Sequence, residues 1–283
     1  MKFTNRHGLP DPVVRALTSY EKDEKVEGLR VTTLIDSPRI SQLRQTHAAD
    51  ITEDVSDMVW KVMGTAIHEV FERAASNAYV SEERLSHTVD GTVISGAIDY
   101  QFESDGEIDL KDYKSTSVFS VLMGDKPEWE KQINTYAYLI RHAKGLKVRS
   151  ASVVAVLRDW RKSDAERRSD YPVSPITEIK IRLWPDEEQD AFVKERVRLH
   201  RVAELEKDFD LSPCTPEEQW AKPAKWAVHK GKGKRAMKLF DTENEAQEFA
   251  GQSEDRSVVE RPATLTRCEN NYCRVADFCD QWR

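Results

Sequence analysis

Two strand-like runs, 96–104 and 107–114, meet at Asp105–Gly106. Asp-Gly between such runs is a strong two-residue hairpin signal, and it fixes the pairing register. With Ser104 opposite Glu107, Asp99 falls opposite Asp112. Side chains directly opposed across a hairpin stand about 4.5–5.5 Å apart at Cβ, where like charges destabilise the sheet. A divalent cation between the two carboxylates removes that penalty. Lys114 lies two residues past Asp112 and leaves the same face of the strand. Two carboxylates and an ammonium on one patch suit metal-dependent phosphodiester cleavage. On an arbitrary strand, Asp-x-Lys would be a surface ion pair. The hairpin register, the preceding Gly96 and the flanking helices favour chemistry instead.

Helical periods stand on both sides of this hairpin. Residues 56–79 carry Val59, Met63, Ile67, Val70, Phe71 and Ala74 at helical spacing. Gly64 and His68 share one face of that helix. His68 could complete a metal site, although a lone helical His is more often structural, and Gly64 would let another element approach closely. Glu69 and Glu72 read as a solvated face. Residues 128–144 form a second helix, with Trp129, Ile133, Tyr136, Ala137 and Ile140 on one side and Gly145 as its stop. Gln132 and Tyr136 share a face there and could contact a phosphate or orient Lys114; Tyr at this spacing is otherwise core packing. Residues 150–158 read as a buried strand, 158–168 as a polar loop, 176–183 as an alternating strand, and 184–207 as a helix opened by Pro185 and acids.

The expected fold class is therefore α/β, a mixed sheet flanked by helices. The expected domains are a core over 1–210 with a helical lead-in, and a cysteine-bearing tail over 211–283. No apolar run approaches the ~18 residues of a membrane span, and the amino terminus lacks a secretory pattern. These suggest a cytoplasmic setting. Net charge is −7, which argues against a generally basic nucleic-acid binder. Residues 221–240, however, hold Lys222, Lys225, Lys230, Lys232, Lys234, Arg235 and Lys238 without an acid. A ribbon with a Gly-Lys-Gly tip and a following helix, 242–250, is expected there. Lys230, Lys232, Lys234 and Arg235 are its candidate DNA contacts; the competing reading is a solvated hairpin with Lys protecting an edge.

Cys214, Cys268, Cys273 and Cys279 are the chain's four cysteines. In a cytosolic chain, four suggest a metal site over disulfides. The Cys-x-x-Cys pair of zinc ribbons is missing.

In order, Gly64-Thr65-Ala66-Ile67-His68, Gly96-Ala97-Ile98-Asp99, Asp112-Tyr113-Lys114 and Gln132-Ile133-Asn134-Thr135-Tyr136 resemble the ordered motifs of PD-(D/E)XK nucleases. The branch resembled is that of RecB-type and phage exonucleases, which includes the CRISPR-associated adaptation nucleases. The similarity covers roughly residues 30–185, and Thr32–Arg39 resembles the family's entry segment. It implies a restriction-endonuclease-like fold and Mg²⁺ or Mn²⁺ held by His68, Asp99, Asp112 and the Tyr113 carbonyl. Hard carboxylates suit Mg²⁺, and a His ligand raises the relative affinity for Mn²⁺. Lys114 would activate water or stabilise charge on the phosphate, and Gln132 and Tyr136 would support Lys114 or hold DNA. The implied activity is a deoxyribonuclease, foremost an exonuclease leaving 5′-phosphates, in phage or bacterial DNA recombination and repair.

Related nucleases also imply a four-iron [4Fe-4S] cluster, with one early and three late cysteines. Their early cysteine would fall at Ser37, so Cys214 is the candidate replacement, and Zn²⁺ or unligated buried cysteines remain the alternatives. No Gly-x₄-Gly-Lys-Ser/Thr loop is present, so ATP-driven unwinding would come from a partner. A single-strand annealing protein is the partner implied, with an oligomer left open. A structure-specific endonuclease, a non-catalytic DNA-binding module and a zinc-dependent regulator are the rival readings.

Overall fold

The computed structural model describes every residue except 20–27, 75, 77, 125, 232 and 271. Asp105 and Gly106 both take positive φ, 56° and 77°, the pairing that a two-residue type I′ turn requires. The turn joins β3 (Tyr100–Ser104) to β4 (Glu107–Thr116), with Ser104 opposite Glu107 and Tyr100 opposite Lys111. The turn and the register read from the sequence are found from Ser104 to Tyr100, whereas Asp99, expected opposite Asp112, lies just outside the paired run.

The elements around the hairpin follow in chain order. Helix α1 (Val59–Arg73) precedes β1 (Glu83–Val89) and β2 (Thr92–Ile98). After β4 come α2 (Val118–Leu122), α3 (Pro127–Lys144), β5 (Lys147–Leu157), β6 (Ile176–Lys180) and α4 (Asp186–Leu205). One sheet runs β3-β4-β5-β6, with β4 and β5 parallel and both outer pairs antiparallel. A second sheet places β2 between β1 and the short strand Leu29–Arg30. The fold is thus mixed α/β, sheets flanked by helices. Residues 162–165 form a short helix inside the segment read as a loop.

Helix α3 is the crossover between the parallel strands. Acids in its first turn and Arg141, His142 and Lys144 in its last complement the helix dipole. Gly145 closes it at φ 70°. It buries Ile133, Tyr136, Leu139 and Ile140 in one core with Ile108 and Leu110 of β4, Ile94 and Ile98 of β2, and Val193 and Val197 of α4.

A second core joins distant parts of the chain. Ile40, Leu43 and Ile51 pack with Ala203, Leu211, Cys273, Val275 and Cys279. The cysteine-bearing tail therefore docks on the lead-in. Between Leu211 and Cys273 lies a small ββα-type unit with its own core. It comprises β7 (Lys225–Lys230), β8 (Lys238–Phe240), α5 (Glu243–Ala250) and β9 (Arg256–Arg261), in the order β8-β7-β9. Thr242 and Glu245 cap α5 reciprocally. The ribbon and helix match expectation, whereas β9 completes a sheet that the sequence reading left at two strands. No helix among the described residues is long and apolar enough to cross a membrane.

Candidate active site

Strand β4 alternates, and its buried row runs Ile108, Leu110, Asp112. Asp112 is therefore carried into the interior by the same pleat that buries two aliphatic residues, and it is 2% exposed. Its Oδ1 accepts a 3.1 Å hydrogen bond from Gln132 Nε2 of α3. Its Oδ2 lies 2.7 Å from Lys114 Nζ, an ion pair without hydrogen-bond alignment. Burial pushes the Asp112 carboxyl above the ordinary range, against the pull of Lys114; the nearby Asp99 charge pushes the same way as burial.

Asp99 sits at the break between β2 and β3 and is 4% exposed. Its Oδ2 accepts a 2.6 Å hydrogen bond from the Tyr113 backbone amide, which ties it to the strand that carries Asp112. His68 Nδ1 of α1 stands 3.3 Å from both Asp99 Oδ1 and Glu82 Oε1. Hydrogen bonding to Asp99, then to Glu82, raises the His68 pKa to about 10, although burial opposes it. The candidate ligand atoms of His68, Glu82 and Asp99 all lie within 4.8 Å of one another. One imidazole and two carboxylates at that spacing form a donor set for a divalent cation of the Mg²⁺ or Mn²⁺ kind.

Helix α3 supplies the rest. Gln132 Nε2 also donates to Tyr136 Oη at 2.9 Å. The Tyr136 ring packs against Gly96 so closely that a Cβ there would stand 2.6 Å from Cε1. Gly96 is the position that lets α3 close over the site. The Tyr113 ring lies edge-on to Phe71 of α1 at 4.7 Å between centroids, and burial pushes its phenol up to about 12.

His68, Asp99, Asp112, Tyr113, Lys114, Gln132 and Tyr136 are thus one cluster. Glu82 was missed. It lies just before β1 at φ 52°, a left-handed conformation uncommon for a non-glycine residue. The only sequence signal was the pair Glu82–Glu83 between Ser81 and a strand. Gly64 is a correction: a Cβ there would meet open space, with no described residue within 4 Å of it.

None of the four cysteines is in a disulfide. Ser37 Oγ lies 3.2 Å from Cys214 Sγ. Arg39 Nε donates to Cys279 Sγ at 3.3 Å. Burial raises the Cys214 pKa to about 11 and lifts those of Cys268 and Cys273. Lys230, Lys234 and Arg235 are exposed on the ββα unit, and Lys232 lies outside the described residues. The charge of this unit is less naked than its composition suggests. Lys225 pairs with Asp241, and Lys230 lies 3.6 Å from Asp255.

No protein-family model matches the chain, and no curated protein matches it. Among solved structures it is similar to SSO0001, at 17% identity over 74% of this chain and 89% of that one, with a TM-score of 0.48. It is also similar to LHK-Exo, an alkaline exonuclease from Laribacter hongkongensis, at 13% identity over 62% of this chain and 88% of that one, with a TM-score of 0.33. The complex of LHK-Exo with dAMP gives a TM-score of 0.34. Each likeness is partial.

Proposed function

We propose that the protein is a divalent-metal-dependent deoxyribonuclease of the PD-(D/E)XK type, and an exonuclease in particular. The observation that carries this is the burial of Asp99 and Asp112 side by side with His68, Glu82 and Lys114 around them. Two deeply buried carboxylates, with the charge of Asp99 helping to push the Asp112 pKa up, are costly unless a cation or substrate uses them.

His68, Glu82, Asp99 and Asp112 would hold the cation. Bound there, it would polarise a phosphoryl oxygen and lower the pKa of water, which gives hydrolysis to a 5′-phosphate. Lys114 presents its ammonium beside Asp112 and offsets negative charge developing on the phosphate. Gln132 holds Asp112 by one oxygen, and Tyr136 in turn accepts from Gln132, so the carboxylate keeps one orientation. The His68 proton has to leave for the imidazole to ligate, so cation binding and pH are linked.

In this reading residues 1–210 are the nuclease core and 211–283 a metal-binding tail. Cys214, with Cys268, Cys273 and Cys279, would hold a [4Fe-4S] cluster or Zn²⁺. The contact of Cys214 with Ser37 supports Cys214 as the replacement for an early ligand. Exposed Lys234 and Arg235 would contact the DNA backbone, in a setting of phage or bacterial recombination.

End-labelled linear DNA and a covalently closed circle, each with Mg²⁺ or Mn²⁺, test the central reading. Loss of the linear substrate alone, abolished in Asp112→Ala and Lys114→Ala, is expected. Cutting of the circle would make the protein an endonuclease. No cleavage of either would remove the nuclease reading.

A further inference from the structure

Helix α1 carries an apolar stripe that the fold leaves uncovered. Trp60, Met63, Ile67 and Val70 recur at i, i+3, i+7 and i+10, yet no residue of α1 is buried. Trp60 is 58% exposed and Val70 59%. The side of α1 that meets β4 is instead made by His68 and Phe71. A helix that contributes a candidate ligand thus keeps Trp60, Met63 and Val70 exposed, with Ile67 half-buried between them, which calls for a partner.

The surroundings of Trp60 indicate the chemistry of that partner. The Arg158 guanidinium lies over the indole, 4.3 Å from its centroid. The Arg158 amide donates to Thr116 O at 2.9 Å, and Thr116 is two residues beyond Lys114 on β4. Asp159 Oδ1 accepts a 2.7 Å hydrogen bond from the Val118 amide. That bond pins the start of α2, where Phe119 is 67% exposed. An indole, a guanidinium and a phenyl ring are therefore all anchored at the end of the strand that bears Asp112 and Lys114. At about 3.3 Å per residue, Thr116 lies about 7 Å past Lys114. A nucleotide next to one whose phosphate sits at Lys114 can reach this place.

Charge gives the strand a direction. Exposed Arg161 and Lys162 follow Arg158. Trp60 also lines a cavity of about 590 Å³ together with Glu53, Asp54, Asp57 and Asp277 against two arginines. Phosphates are drawn toward the cations that follow Arg158 and repelled from the acids of that cavity.

We propose that Trp60, Arg158 and Phe119 form a stacking platform for unpaired bases, so that the site takes a single-stranded DNA end. This rests on the nuclease reading and narrows its substrate. Aromatic and guanidinium faces stack on any base, but only on one that duplex pairing has released.

Fluorescence anisotropy of labelled oligo-dT and of a blunt duplex of equal length, both in EDTA, tests it without asking for cleavage. Trp60→Ala and Phe119→Ala remove exposed side chains, and Leu205→Ala, at a still more exposed residue at the end of α4, is the control. Each platform variant is expected to weaken oligo-dT binding by about tenfold, to leave duplex binding within about twofold, and to raise KM on single strands with kcat kept. Equal weakening on both substrates, or none on oligo-dT, overturns the platform. Unchanged oligo-dT binding with loss of a dimer in sedimentation makes the stripe a protein contact and also overturns it. The two readings separate cleanly. A wild type that cuts DNA while Trp60→Ala binds oligo-dT normally sinks the platform alone. A wild type that binds oligo-dT through Trp60 yet never cuts with Mg²⁺ or Mn²⁺ sinks the nuclease reading alone.

Discussion

Gly96→Ala adds one methyl group at the place where α3 closes over the site. The new Cβ would stand 2.6 Å from Tyr136 Cε1 and 3.0 Å from Val31 Cγ2. Neither neighbour can swing aside, because Tyr136 and Val31 are both buried in the main core. Overpacking of this kind costs about 1–3 kcal/mol, which lowers the melting temperature by about 2–10 °C in a chain of this size. The displaced ring also carries Oη, which accepts from the Gln132 side chain that holds Asp112. A shift of about 1 Å passed along that chain lowers turnover by up to about 100-fold. Urea unfolding and cleavage rates are measured for Gly96→Ala, Tyr136→Leu and the double variant. Leucine has no Cε1 at the clash, so the added methyl at position 96 should cost little in the Leu background, a coupling of about 1 kcal/mol or more. If Gly96→Ala costs the same in both backgrounds, or nothing in either, the tight approach of α3 does not exist.

Other outcomes follow from the same geometry. Glu82→Gln keeps the size of the side chain and removes one charge from the candidate cation site. The Mg²⁺ concentration for half-maximal cleavage should rise by on the order of tenfold, and an unchanged titration would take Glu82 out of the site. Asp36 accepts from Arg267 through both carboxylate oxygens, at 2.7 and 2.8 Å. Burial pushes its pKa up, but the Arg267 hydrogen bonds and charge outweigh that and hold it below the ordinary value. A lowered folded pKa adds stability that is present above about pH 4 and lost as pH falls toward the folded value. Wild type should lose urea resistance between pH 5 and 3 more steeply than Asp36→Asn, and parallel curves would refute the pairing. Cys214→Ser should lower the metal or iron content of the purified protein while Asp112-dependent cleavage persists at reduced stability; full metal loading would exclude Cys214 as a ligand.

Local chemistry was legible in the sequence, and placement by distant packing was not. The hairpin register could be read because Asp105–Gly106 dictates a positive-φ turn by itself. Asp99, Asp112 and Lys114 then followed by counting. The capped helix Glu243–Ala250 was legible for the same reason, since its signals lie within four residues. Glu82 was not, because its position depends on a left-handed residue outside any period. Nor was the exposure of α1: a period of 3.6 says that a helix forms, while what covers its face is decided by elements far along the chain. Strand β9 escaped because Arg256-Ser-Val-Val-Glu-Arg261 has only two apolar residues, and it is fixed by the register Val228↔Val258 with β7.

The second core also bears on how the chain reaches its native state. Arg39 bonds Cys279 across 240 positions, whereas the hairpin pairs Tyr100 with Lys111. Closing the longer loop costs about 3 kcal/mol more in chain entropy by the logarithmic rule. The lead-in around Ile40 and Leu43 must therefore wait for the last-made segment of this stretch before it is covered. During synthesis the hairpin and α3 can assemble early from contacts close in sequence, while the cysteine region closes over the lead-in as a latch that arrives later.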